Sequence, residues 1–172
     1  MSARLTKKDL SDTITETLPF LRRYARAATG SQKRGDEWVR LCAEVAMQQP
    51  ELIAQAPDTR LAVFTLFHKL REPFGSLEES QAAPDSVSGH LQDSLTEMRP
   101  LQRQMLLLSA LEGFSVTEAA HILAIDIASA ERCLREAREE MRRRLRSDAG
   151  IPASSDAADR TRYHGEGHTL RD

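Results

Sequence analysis

EGFSVTEAAHILAIDIASAERCLREAREEMRRRL, residues 112–145, decides how this chain is read. Ser115 and Glu118 stand as S-x-x-E ahead of an apolar run, the pattern of a capping box at a helix start. Ala119, Ala120, Ile122 and Leu123 give the short helix that follows an apolar face. AID, residues 124–126, supplies a turn. A second helix is predicted from Ala128 to Arg146, with Ala130, Leu134, Ala137 and Met141 on its inward stripe. Two helices joined by so tight a turn read as a helix-turn-helix, a pattern that also occurs as plain scaffold.

As a DNA reader the second helix is badly equipped. Base edges are read by Arg, Lys, Asn or Gln near the start of the recognition helix. The early outward positions here are Ala128, Ser129 and Glu131. From Asp126 to Glu140 there are five acids and three arginines. Glu131–Arg135, Arg132–Glu136 and Arg135–Glu139 are spaced to pair along the helix, which would occupy the arginines that phosphates need. The trailing RRRLR, residues 142–146, lies in the last turns, where cations suit the helix dipole. The whole chain of 172 residues carries a net charge of -2, with none of the basic surplus that phosphate binding favours. Stable DNA binding is not expected.

The rest of the chain reads as helical too. LPFLRRYARAATG, residues 18–30, places Leu18, Leu21, Ala25 and Ala28 on one stripe and ends on Gly30. Ser31 is positioned to cap a second helix, where Trp38, Leu41, Cys42 and Val45 form the expected stripe and Pro50 marks the exit. Asp58 is positioned to cap a third helix that ends near Pro73. That third helix is apolar on two sides: Val63, Leu66, Phe67 and Leu70 share one face, while Leu61, Phe64 and His68 line the other. The second face is either buried in the lobe's own core or docks another chain. Further on, Pro100 opens a helix closed by Gly113, with Leu101, Met105 and Leu108 on one face and Leu106 on another.

Composition divides these elements into an all-α pair of small lobes. The first spans residues 11–73 and the second, with the helix-turn-helix, residues 91–146. Residues 74–90, rich in Ser, Gly, Pro and acid, are expected to be a flexible acidic linker that lets the lobes move relative to each other. Residues 147–172 are polar and aperiodic and are expected to be a disordered tail. Cys42 and Cys133 lie far apart within helical patterns, so they are expected to be small buried side chains rather than a disulfide or metal pair. No stretch is apolar enough for a membrane span and the N-terminus has no signal-peptide core, so a cytoplasmic location is expected.

At this point a resemblance becomes specific. LPFLRRYARAATGSQKRGDEWVR, residues 18–40, and LEGFSVTEAAHIL, residues 111–123, resemble the sigma-like domain of PhyR-type response regulators. These are anti-anti-sigma factors of the alphaproteobacterial general stress response. The resemblance covers roughly residues 15–146 and implies that the first lobe corresponds to sigma region 2 and the second to region 4. It also implies mimicry: such a domain sequesters a small helical anti-sigma factor of the NepR type, which frees an EcfG-type sigma factor. The helix-turn-helix would then be kept for its shape, and acid on its second helix would be tolerated. The chain departs from true sigma factors where a D-L-V-Q that helps dock polymerase is replaced by Glu37-Trp38-Val39-Arg40. It departs from PhyR in that no receiver-like sequence follows Arg146, which leads to the expectation that partner binding here is not gated by phosphorylation.

Apolar residues lying off the main stripes are the candidate partner contacts: Trp38, Leu41, Leu61 and Phe64 in the first lobe, and Leu106, Leu111, Phe114 and Ile127 in the second. The alternative function is a genuine extracytoplasmic-function sigma factor that binds core RNA polymerase and promoter DNA. An enzyme is not expected. The five histidines are scattered, His164 and His168 fall in the tail, and neither a nucleophile set nor a phosphate loop stands out. No cofactor, metal or small-molecule substrate is implied.

Overall fold

The computed structural model describes residues 7–54, 56, 58–74 and 90–148, and every regular element among them is helical. The expected linker, apart from Phe74 and His90 at its two ends, and the expected tail beyond Asp148 lie outside these residues, as do His164 and His168.

The first lobe is built from α1 (Lys7–Thr29), α2 (Gln32–Gln48), the single turn α3 (Glu51–Ala54) and α4 (Thr59–Arg71), followed by a 3-10 turn at Glu72–Phe74. Local chemistry sets most of these boundaries. Gly30 takes a φ of 67° where α1 ends. The Ser31 hydroxyl accepts from the Arg34 N–H at the start of α2, and the Asp58 carboxylate accepts from Leu61 N–H at 3.1 Å at the start of α4. α1 begins earlier than its stripe suggests and passes through Pro19, with Ile14 and Thr17 buried two turns and one turn ahead of Leu21.

The buried face of α2 differs from the expected one. Gly35, Val39, Cys42 and Ala46 are buried, whereas Trp38 and Val45 are only partly covered and Leu41 is 40% exposed. The cause is non-local. α2 approaches α1 so closely at Gly35 that a Cβ there would lie 2.7 Å from the Arg26 backbone nitrogen. That contact turns the helix so that the small residues face inward. Arg26 then forms a two-point pair with Asp36, at 2.8 and 2.7 Å, across the same crossing. The guanidinium holds the Asp36 carboxyl below its usual range.

The second lobe comprises α5 (His90–Thr96), α6 (Pro100–Leu106) with a π-turn at Leu107–Leu111, α7 (Val116–Ile122) and α8 (Ile127–Asp148). The expected capping box is present: Ser115 Oγ accepts from Glu118 N–H at 3.2 Å and Glu118 Oε2 accepts from Ser115 N–H at 2.8 Å. The turn of the helix-turn-helix ends α7 in a Schellman arrangement. The Ile125 N–H reaches the Ala120 carbonyl at 3.0 Å and the Ala124 N–H reaches that of His121 at 3.3 Å. Asp126 is then the cap of α8, accepting from Ser129 N–H at 2.8 Å.

Ala124 sits at the left-handed position of that turn, with φ 53°. A side chain there carries about 1–3 kcal/mol of strain, against about 0.4–1 kcal/mol that a glycine costs through the freer unfolded chain. Ala124→Gly is therefore expected to stabilise the chain by roughly 0.5–1 kcal/mol. In urea unfolding the midpoint should rise with an unchanged slope; a fall in midpoint would mean that the methyl group contributes packing that outweighs the strain.

The lobes pack directly on one another. α1 lies against α5, α6 and the π-turn, and α4 lies against α7. One core runs through both, from Ile14 and Leu21 to Leu134 and Ala137. Both cysteines are buried, as expected, and burial pushes the Cys42 thiol up to about 12.

Candidate functional site

The site is best approached from α4, whose two apolar faces both find cover. Val63, Leu66 and Phe67 are buried on the inner face. Phe64, on the other, is also fully buried, and two rings pack against it: Tyr24 in its own lobe, with centroids 5.4 Å apart, and Phe114 in the second lobe, at 5.0 Å. The second face is thus buried partly in its own lobe, where Phe64 and His68 meet Tyr24, and partly against the other lobe of the same chain.

Charged groups surround this aromatic contact. The Glu112 side chain is wholly out of solvent and is held by two arginines of the first lobe. Arg23 Nε donates to Glu112 Oε1 and Arg23 Nη2 to Oε2, both at 3.1 Å. Arg60 Nη2 donates to Oε2 at 3.2 Å and to the Glu112 carbonyl at 2.6 Å. Arg23 Nη2 also reaches the Leu111 carbonyl at 3.0 Å. These carbonyls close the π-turn, where helical donors run out and the dipole is negative, so two cations suit them. Gly113, at φ 73°, then turns the chain and carries Phe114 beneath Arg60, whose guanidinium carbon lies 4.4 Å from the ring centre.

Beside this contact a cleft of about 480 Å³ opens between the lobes. Leu52, Leu61 and Leu66 line it from the first lobe, Thr117 and His121 from the second. Leu52 is 49% exposed and was not among the residues picked from the sequence.

The eight candidate contacts thus do not form one surface. Trp38 is partly buried against the core, Leu41 is exposed on α2, Leu61 lines the cleft, and Ile127 stands 50% exposed at the start of α8. Leu106 and Leu111 are partly buried against the core. Phe64 and Phe114 face each other and present nothing to solvent in this arrangement. Arg23, Arg60 and Glu112 were missed. Arg60 did carry a signal, because a cation in the first turn of a helix opposes the dipole and needs another reason to be there.

Along α8 the side chains of Arg135, Arg138, Arg142 and Arg146 are exposed, as are those of Glu131, Glu136 and Glu139. The three pairs expected from spacing, Glu131–Arg135, Arg132–Glu136 and Arg135–Glu139, are not formed, and the ion pairs of α8 sit further along. Arg144 Nε donates to Glu140 Oε1 at 2.7 Å, Arg143 also pairs with Glu140, and Arg144 reaches across to Glu97. Nearer the start, Arg132 donates to Ser129 Oγ and Glu136 accepts from Gln102. Among the described residues there is no group of acids, histidines and cysteines able to hold a metal ion, and no helix long and apolar enough to cross a membrane.

Below the aromatic cluster Tyr24 Oη and His68 Nε2 share a hydrogen bond of 2.7 Å. Burial, with the Arg71 charge nearby, pushes His68 down to about 3, and burial raises the Tyr24 phenol. An unfolded chain takes up a proton on His68 below about pH 6.5, which the folded chain refuses until about pH 3. Stability should therefore fall as the pH drops through this window, with up to about 1.4 kcal/mol per pH unit from this residue. In His68→Gln the acid limb of the stability–pH curve should be correspondingly flatter; equal slopes in the two proteins would show that His68 is protonated alike in both states.

Comparison with known proteins converges on one family. Residues 14–68 match the sigma2 domain of PhyR, and residues 95–144 match the sigma-like domain of the response regulator PhyR. The phyllosphere-induced regulator PhyR of Methylorubrum extorquens is 33% identical over 128 residues, covering 74% of this chain and 47% of that protein. The chain therefore spans about half the length of that curated relative. The PhyRSL domain of Sphingomonas sp. Fr1, solved in complex with NepR, is 33% identical, with a TM-score of 0.69 over 92% of this chain and 99% of its own. PhyR of Bartonella quintana, solved in complex with the anti-sigma factor NepR, is 29% identical, with a TM-score of 0.60 over 79% of this chain and 50% of its own. Both sigma-like regions are matched, and the relatives are about 30% identical across most of this chain; the chain belongs to the family of PhyR sigma-like domains.

Proposed function

We propose that this chain is an anti-anti-sigma factor: it sequesters a small helical anti-sigma factor of the NepR type and so frees an EcfG-type sigma factor to direct the general stress response. The observation that carries the reading is the match, over nearly the full length of both chains, to a domain solved with NepR bound. The side chains agree with it. The second helix of the helix-turn-helix exposes Glu131, Glu136 and Glu139, which repel a phosphate backbone, and two arginines of its basic end, Arg143 and Arg144, are paired with Glu140 and Glu97. Its role is binding rather than catalysis, in the cytoplasm. Trp38, Leu41, Leu61 and Ile127 are the contacts available to a partner on the closed chain, and Phe64 and Phe114 join them once the lobes part.

The test is titration of the purified NepR-type anti-sigma factor from the same genome with this chain, followed by competition against the EcfG-type sigma factor. A one-to-one complex that releases the sigma factor is expected. No complex, together with promoter-specific transcription by this chain and core polymerase, would reverse the reading and make it a working sigma factor.

A further inference from the structure

We propose that Glu112, Gly113 and Phe114 form an intramolecular clasp that holds the two lobes closed, and that a partner helix entering between them must break it. The second half rests on the functional reading above; the first does not. The clasp joins elements far apart in sequence through a small set of groups. Its acid is fully buried while its two bases are not: the Arg23 and Arg60 side chains are 50% and 35% exposed. Opening therefore returns one carboxylate to water and leaves the arginines where they already meet it, so the ionic part is reversible rather than locking. Phe114 adds the apolar part by packing against both Phe64 and Arg60.

Room decides why the clasp and a partner exclude each other. A helix about 10 Å across occupies roughly 400 Å³ per turn of 5.4 Å. The cleft beside the clasp, at about 480 Å³, holds a single turn. A partner helix of several turns that is enclosed between the lobes, rather than laid across the mouth of the cleft, needs α4 and α7 to separate, and their separation pulls Phe114 off Phe64 and Glu112 off Arg60. The closed chain is thus a self-limited binder whose apparent affinity is reduced by the fraction of molecules that are open.

The experiment places one fluorophore on each lobe, through Arg40→Cys and Arg132→Cys in a chain whose buried native thiols are removed by Cys42→Ala and Cys133→Ala. Distance distributions are then read by single-molecule energy transfer, with circular dichroism confirming helix content. With Glu112 intact, one narrow distribution is expected. Glu112→Lys should lengthen and broaden it, and adding Arg60→Glu should narrow it again. Should Glu112→Lys fail to fold, Glu112→Gln keeps the volume without the charge and should broaden the distribution less. A broad distribution in the parent chain, or an unchanged narrow one in a folded Glu112 variant, would overturn the clasp. Glu112→Lys should also bind the NepR-type protein about fivefold more tightly or better. Opened lobes with unchanged or weaker binding would overturn the gating. Binding by neither chain would overturn the functional reading instead, and the distances would still decide the clasp.

Discussion

Gly35→Ala should cost the chain about 1–2 kcal/mol, although it replaces a poor helix former with the best one in the first turn of α2. Propensity alone favours the substitution by up to about 1 kcal/mol. Against that stands geometry: the new methyl would lie 2.7 Å from the Arg26 nitrogen and 2.8 Å from its Cα. Carbon atoms settle at about 3.5–4.0 Å, so the two helices would have to part by close to 1 Å. Both neighbours are helix backbone, which has no rotamer to escape into. Parting would loosen Val39 and Cys42 against the core and stretch the Arg26–Asp36 pair. Overpacking of this kind costs about 1–3 kcal/mol and occasionally more, which exceeds the propensity gain. Thermal unfolding should show a Tm several degrees lower; a Tm equal to or above that of the parent would show that the helices do not meet so closely.

The same glycine explains what could be read in the sequence and what could not. Caps and turns were legible because their chemistry is complete within four or five residues: Ser31, Asp58 and the Ser115–Glu118 box cap as their positions implied, and Gly30 and Gly113 end helices at positive φ. The face that α2 buries was misplaced because it is decided by Arg26, on another helix. Trp38 and Leu41 are larger and more apolar than Gly35, so a stripe drawn by hydrophobicity follows them rather than the small buried residues. α4 gave a mixed result. Its double apolar face was visible as an anomaly, but part of its cover lies fifty residues away, at Phe114. The acids of α8 were visible in the sequence, yet Asp126 proved to be the helix cap, a role its position just ahead of Ile127 already allowed.

Phe64→Ala should be the most damaging single truncation in the first lobe, costing about 3–5 kcal/mol of stability. The ring is fully buried and packs edge-on against both Tyr24 and Phe114, so its loss opens a cavity bounded by two large side chains that cannot both move in. A residue serving only as a partner anchor would behave otherwise: its truncation would spare stability and reduce binding. The two roles separate in a double-mutant cycle with Phe114→Ala. Rings in edge contact couple by about 0.5–1.5 kcal/mol, so the double variant should lose less than the sum of the singles, measured by urea unfolding without any partner present. Additive losses would mean that the rings do not meet in the free chain and that the lobes sit apart. A coupled loss would place the contact inside the free protein, where a partner that parts the lobes has to displace Phe114 from Phe64 before it can use either.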